Sequence, residues 1–164
     1  PDMLVDRLKR ILDIAISCVN QIPAEKLRDQ FPGRPRSLLS LANHIFEIAG
    51  GFVKVTRGAD FTGDVAAATP NSDRSVAELS SYQQQLIIDI DTWWKDCDDK
   101  TCERLVTTYY GNQKLHALLE RCAWHSAQHV RQVIMVLDNL GITPIMSLTP
   151  DDLDDLPLPE KVWD

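Results

Sequence analysis

The chain has 164 residues, enough for one domain with a real core. Its 44% apolar content excludes a disordered chain. A formal net charge of −7 argues against nucleic acid or an anionic membrane surface as partner, because the nearest basic patch, Arg34 and Arg36 in "GRPRS", is too small to neutralise a run of phosphates.

The opening stretch, "PDMLVDRLKRILDIAIS", mixes acids and bases and lacks the layout of a signal peptide. No apolar run approaches the roughly 20 residues that span a bilayer, so a cytoplasmic protein is expected. A start at Pro1 instead of Met suggests a trimmed chain or a piece of something longer. The spacing of Leu4, Leu8, Ile11, Leu12, Ala15 and Val19 predicts a first helix from Asp2 to Gln21, ended by "IP" at 22–23. "FPGRPRS" at 31–37 is a loop, since two prolines and a glycine break a helix.

A second helix is expected from Ser37 to Arg57, with Gly58 just past its end. Its apolar stripe is Leu38, Leu41, Ile45, Ile48, Phe52 and Val55. Gly50 and Gly51 inside it mark close packing or a kink. Residues 58–75 form a long connection of the kind that moves or lines a site. "SVAE", Ser75 to Glu78, is a capping box that opens a third helix running to Lys95. "RLVTTYYGNQK" at 104–114 is β-prone but short, and reads as an extended approach to a fourth helix from Lys114 to Leu140, closed by Gly141.

Residues 142–164 hold four prolines and read as an ordered wrap or a short extra helix, not a second domain. The expected fold is therefore all-α, an antiparallel four-helix bundle occupying residues 1–164. The four cysteines, Cys18, Cys97, Cys102 and Cys122, form no CxxC pair and read as reduced thiols. Trp93, Trp94, Trp124 and Trp163 read as core or interface anchors. An exposed apolar helix face would support a homodimer.

Chemistry concentrates in the histidines. His125 and His129 in "WHSAQHVRQ" stand four apart, about 40° around a helix, and project together. Such a pair can place two nitrogens on one metal ion at about 2.0–2.1 Å; two histidines so spaced are also common core filler. His44, among Leu41, Ile45 and Ile48, lies at the bundle interior as a third ligand or a satisfied core residue. His116 lies about 180° and 220° around the helix from the pair, and faces away. HExxH, GxSxG and the ExxH motifs of di-iron bundles are absent.

A histidine in "SLANHIFEIAG" followed by "ERCAWHSAQHVRQVIMVLDNLGI" resembles the DinB/YfiT-like superfamily of metal-binding four-helix bundles. The resemblance runs through the whole chain in helix order and is strongest over 121–142. It implies that His44, His125 and His129 hold a divalent ion, zinc or nickel first. "PGRPRS", "YYG" and "LPLPEKVWD" also resemble a bacterial branch whose domain sometimes follows a glutaredoxin-like domain, which points to thiol chemistry.

Three protein ligands leave a coordination position for catalysis. The resemblance then implies two chemistries on a small-molecule substrate: S-transfer or isomerisation through a glutathione-like thiol, or hydrolysis. A non-catalytic, stress-response metal-binding bundle is the rival expectation. Glu47, one turn beyond His44, is a candidate fourth ligand, outer-sphere acceptor or proton acceptor. Cys122 is a candidate ligand or a packed core thiol. Gln132, three beyond His129, is a candidate to orient that ring or the substrate, and Arg131 to hold an anionic substrate or to stand in solvent. Tyr109 and Tyr110 line the mouth of the site or pack the loop.

Overall fold

A computed structural model describes residues 1–30, 35–63 and 73–163. Parts of both expected long loops, 31–34 and 64–72, lie outside the described residues, as does Arg34 of the small basic patch. Four long helices form within one or two residues of the expected bounds: α1 (Asp2–Asn20), α2 (Leu38–Thr56), α3 (Val76–Asp96) and α4 (Leu115–Asn139). Among the described residues a further helix, α5 (Pro150–Leu153), is a single turn.

Local chemistry explains the boundaries. The Ser37 side chain accepts from the Ser40 amide and starts α2. The Ser75–Glu78 capping box starts α3 as expected. Helix α4 ends in a complete Schellman motif: Gly141, at φ 72°, donates to Asp138 O, and Ile142 donates to Leu137 O. An L side chain adopts that φ only with strain, so the glycine is required there.

The apolar stripes meet as a ring of neighbours, α1 against α4, α4 against α2, α2 against α3, and α3 against α1. Phe46, Phe52, Leu8, Ile11, Ile45 and Leu86 are among the side chains fully buried between them. Gly50 marks close packing. A Cβ there would come within 2.0 Å of the Tyr82 hydroxyl, so its absence lets α3 lie against α2. Helix α2 also corrects the reading of hydropathy. By length and composition it is apolar enough to cross a membrane, but 78% of the relevant window is buried in this fold. Its stripe is broad because neighbouring helices cover it on more than one side.

A second correction concerns residues 104–114. They form an antiparallel hairpin, β1 (Leu105–Thr108) with β2 (Gly111–Lys114), in register Leu105 to Lys114. Tyr109 and Tyr110 make the turn, and Gly111 takes φ 108°. Phe61 supplies a further bridge to Thr108. The chain is thus mainly helical with a small sheet, and the hairpin leads straight into α4. Its short run did not suffice to predict pairing, because a two-stranded hairpin needs packing from elsewhere to be stable.

Residues 142–163 wrap along the helices. Gln21, just past the end of α1, donates to Thr143 O at 3.0 Å and accepts from the Ile145 amide at 2.9 Å, and Arg10 pairs with Asp152 at 2.6 Å. The segment then crosses to α4, where Trp163 Nε1 donates to Met135 Sδ at 2.9 Å.

Candidate metal centre

His44 is buried in the middle of α2, and His125 and His129 stand one turn apart on the neighbouring α4. The ring centroids lie 5.3 Å apart for His44 and His125, 5.0 Å for His44 and His129, and 4.7 Å for His125 and His129. Each residue offers a ligand nitrogen, and the three nitrogens all lie within 4.8 Å of one another. Tetrahedral ligation at about 2.0–2.1 Å asks for nitrogens about 3.3 Å apart.

Two observations bear on whether these residues suit an ion. The buried Nδ1 atoms of His44 and of His125 have no hydrogen-bond partner. A buried polar atom left without one costs about 1–3 kcal/mol, so two at one point call for a partner from outside the chain. The second is protonation. Burial pushes the His44 imidazole down to about 2, helped by the charges of His129, Arg36 and His125. Burial likewise pushes His125 down to about 3, helped by His129, Arg121 and Arg36. Both rings are therefore neutral at neutral pH and keep the lone pair that a metal needs.

His129 is held differently. Its Nδ1 lies 2.7 Å from Gln132 Oε1. Gln132 thus reaches the ring it was expected to orient, and its Nε2 donates to Val162 O at 3.0 Å. Trp124 stacks on His125 at 5.5 Å, and Arg121 lies 5.7 Å over Trp124 and 4.8 Å over Tyr110 while bonding the Tyr109 hydroxyl at 2.9 Å. The tyrosines are half-exposed, and Tyr109 also stacks on Phe61. They pack the hairpin turn and, through Arg121 and Trp124, reach the flank of His125.

Other candidates fall outside the histidine group. Glu47 faces Arg74 Nη1 at 3.9 Å, and burial holds its carboxyl above the usual range. Cys122 is fully buried with Sγ 3.9 Å from Ile48 O, and burial pushes its thiol up to about 12, the state of a packed core residue. Among the described residues neither belongs to the cluster, and nor does His116. Arg131 binds Pro159 O at 2.8 Å, Glu160 O at 3.2 Å and Gln128 Oε1 at 2.8 Å, so its guanidinium anchors the wrap. The sequence reading missed the buried Ser126 hydroxyl next to His125, which has no hydrogen-bond partner, and the carbonyls of 159–162. Backbone carbonyls have no signature in a sequence.

A family model described as the DinB superfamily matches residues 7–133, a span that includes all three histidines and Gln132 and stops short of the wrap. No curated protein matches the chain.

Proposed function

Because the chain belongs to the DinB superfamily, we propose that His44, His125 and His129 hold one divalent ion, zinc or nickel first, and that the site activates a glutathione-like thiol for S-transfer or isomerisation of a small electrophile. The observation that carries the reading is the pair of buried, partnerless Nδ1 atoms of His44 and His125 in a cluster of three imidazoles. The ring of four long helices would then be the superfamily's antiparallel four-helix bundle.

Bound there, a divalent ion supplies a lowered pKa to a coordinated thiol or water, and hence a nucleophile near neutral pH. The chain's own residues do the rest. Among the described residues no fourth ligand joins the three nitrogens, since Glu47 and Cys122 stand outside the group, so a bound ion would keep a coordination position free. That separates this reading from a saturated, purely structural site. Glu47, whose carboxyl burial holds above its ordinary range, is the candidate to exchange a proton with substrate from one turn beyond His44. Arg121, beside His125, is the candidate cation for an anionic thiol. All four cysteines are free, which suits a cytoplasmic setting. Hydrolysis by the same site is the alternative chemistry.

The test is metal content by plasma mass spectrometry on untagged protein, for the parent and His125→Ala, followed by a screen of thiols against electrophiles. About one ion per chain, lost in the variant, supports the site. No ion bound, and none taken up from added zinc or nickel, withdraws the proposal. Ester hydrolysis without thiol dependence would move it to the alternative.

A further inference from the structure

We infer that the segment 159–162 sets the tautomer of His129, acting through Gln132 as a positioning residue. The Val162 carbonyl can only accept. Two amides one turn apart on α4 donate to it: Gln128 Nε2 at 2.8 Å and Gln132 Nε2 at 3.0 Å. Together they fill its two lone pairs.

The contact fixes which way the Gln132 amide points. With its NH2 end on Val162 O, its Oε1 end must face His129 Nδ1, 2.7 Å away. An amide oxygen only accepts, so Nδ1 carries the proton. A neutral imidazole has one N–H, so Nε2 keeps the lone pair. Isolated neutral histidine favours the opposite tautomer, with the proton on Nε2. Gln132 alone does not decide the matter, since a turn of its amide by half a revolution would present NH2 to Nδ1 equally well. The acceptor on the far side breaks that tie.

The segment does not depend on Gln132 for its place. Arg131 binds Pro159 O and Glu160 O, Gln128 also reaches Lys161 O at 3.3 Å, and Trp163 is tied to Met135. Gln132 is buried, 6% exposed, so water does not compete for either end of its amide. A carbonyl outside the family match therefore prepares a ring inside it. The tautomer stands with or without an ion, while its use in ligation rests on the three-histidine reading, where it leaves Nε2 ready to bind.

The test reads ring nitrogens in full-length, metal-free protein labelled with 15N-histidine, by long-range proton–nitrogen correlation at a pH of about 8, above the ordinary histidine range. His129 is assigned by its loss in His129→Gln. The parent is expected to show Nδ1–H. Gln132→Met should move His129 to Nε2–H. The double variant Gln128→Leu with Arg131→Met, which loosens the segment but keeps Gln132, should do so in part or in full. Helical circular dichroism monitors the fold. If the double variant loses its helices, Trp163→Ala, which releases the contact to Met135 and leaves Gln128, Arg131 and Gln132 in place, substitutes for it. Nε2–H in the parent, or no change in Gln132→Met, overturns the inference. An unchanged tautomer in the loosened variant overturns the segment's part in it. Zinc affinity is the second readout, expected to fall about 10–100-fold in Gln132→Met. A parent that binds no zinc would sink the three-histidine reading and leave the tautomer result standing.

Discussion

Asp152 and His44 are buried alike, 4% and 3% exposed, yet the chain equips them in opposite ways. The Asp152 carboxylate accepts from the Thr149 amide and hydroxyl, both at 2.8 Å, and pairs with Arg10 at 2.6 Å. His44 Nδ1 and its neighbour His125 Nδ1 receive nothing from the chain. Where a buried polar group serves the fold, the fold supplies its partners. The histidine nitrogens stand without partners from the chain together on two facing helices, where the proposed ion would bind. The contrast separates a buried group that the chain satisfies from a pair that it leaves open.

The largest expected effect is at the histidines. Zinc at a hundredfold its dissociation constant should raise the unfolding free energy of the parent by about 2.7 kcal/mol. The gain should vanish in His125→Ala and on chelation, as read by denaturant titration. An equal gain in parent and variant would place the metal elsewhere and erase the contrast.

Next is Gly50→Ala, which asks whether packing alone holds α2 where it presents His44. The new methyl meets the Tyr82 hydroxyl at 2.0 Å, and overpacking of this kind costs about 1–3 kcal/mol. Combining it with Tyr82→Phe removes that oxygen and should recover part of the loss. A Gly50→Ala chain as stable as the parent would mean that Tyr82 swings away freely.

Asp152→Asn tests the satisfied site. It should destabilise by about 1–2 kcal/mol at neutral pH. Burial alone would raise this carboxyl, but the Thr149 and Arg10 hydrogen bonds outweigh it and hold it below the ordinary value of 3.8. A depressed folded value means that the unfolded chain takes up the proton first. The stabilisation is therefore fully present above the unfolded value and is lost as pH falls through the folded one. Parent and variant should converge on acidification into that range. A gap that persists there would assign the loss to packing.

The smallest effect is expected at Ser126, whose buried hydroxyl has no partner. Ser126→Ala removes an unsatisfied group and should lie within about 0.5 kcal/mol of the parent or above it. A loss beyond about 1 kcal/mol would show that the hydroxyl is satisfied after all, and would weaken the inference drawn from unpartnered atoms.

Much of the architecture was legible because it is written in local rules. Helical spacing located α1 to α4, Ser75 and Glu78 announced a start, and Gly58 and Gly141 announced stops at φ 97° and 72°. The geometry of one helix was enough to pair His125 with His129 and to turn His116 away. The hairpin at 105–114 was not legible, because its pairing leans on Phe61, more than forty residues earlier. Nor was the breadth of the α2 stripe, which depends on how many neighbours cover it.

Residue types and their spacing along single helices determined the four long elements, their caps and the two-histidine face of α4. These are properties of a chain within one or two turns of itself. The tertiary structure decided that His44 closes the group at 5.3 and 5.0 Å, that Glu47 turns to Arg74 and Cys122 into the core, and that Arg131 and Gln132 serve the wrap. Those outcomes depend on which atoms meet across helices and on where a backbone carbonyl such as that of Val162 comes to lie. A carbonyl is the same in every residue, so only the path of the chain gives it a role.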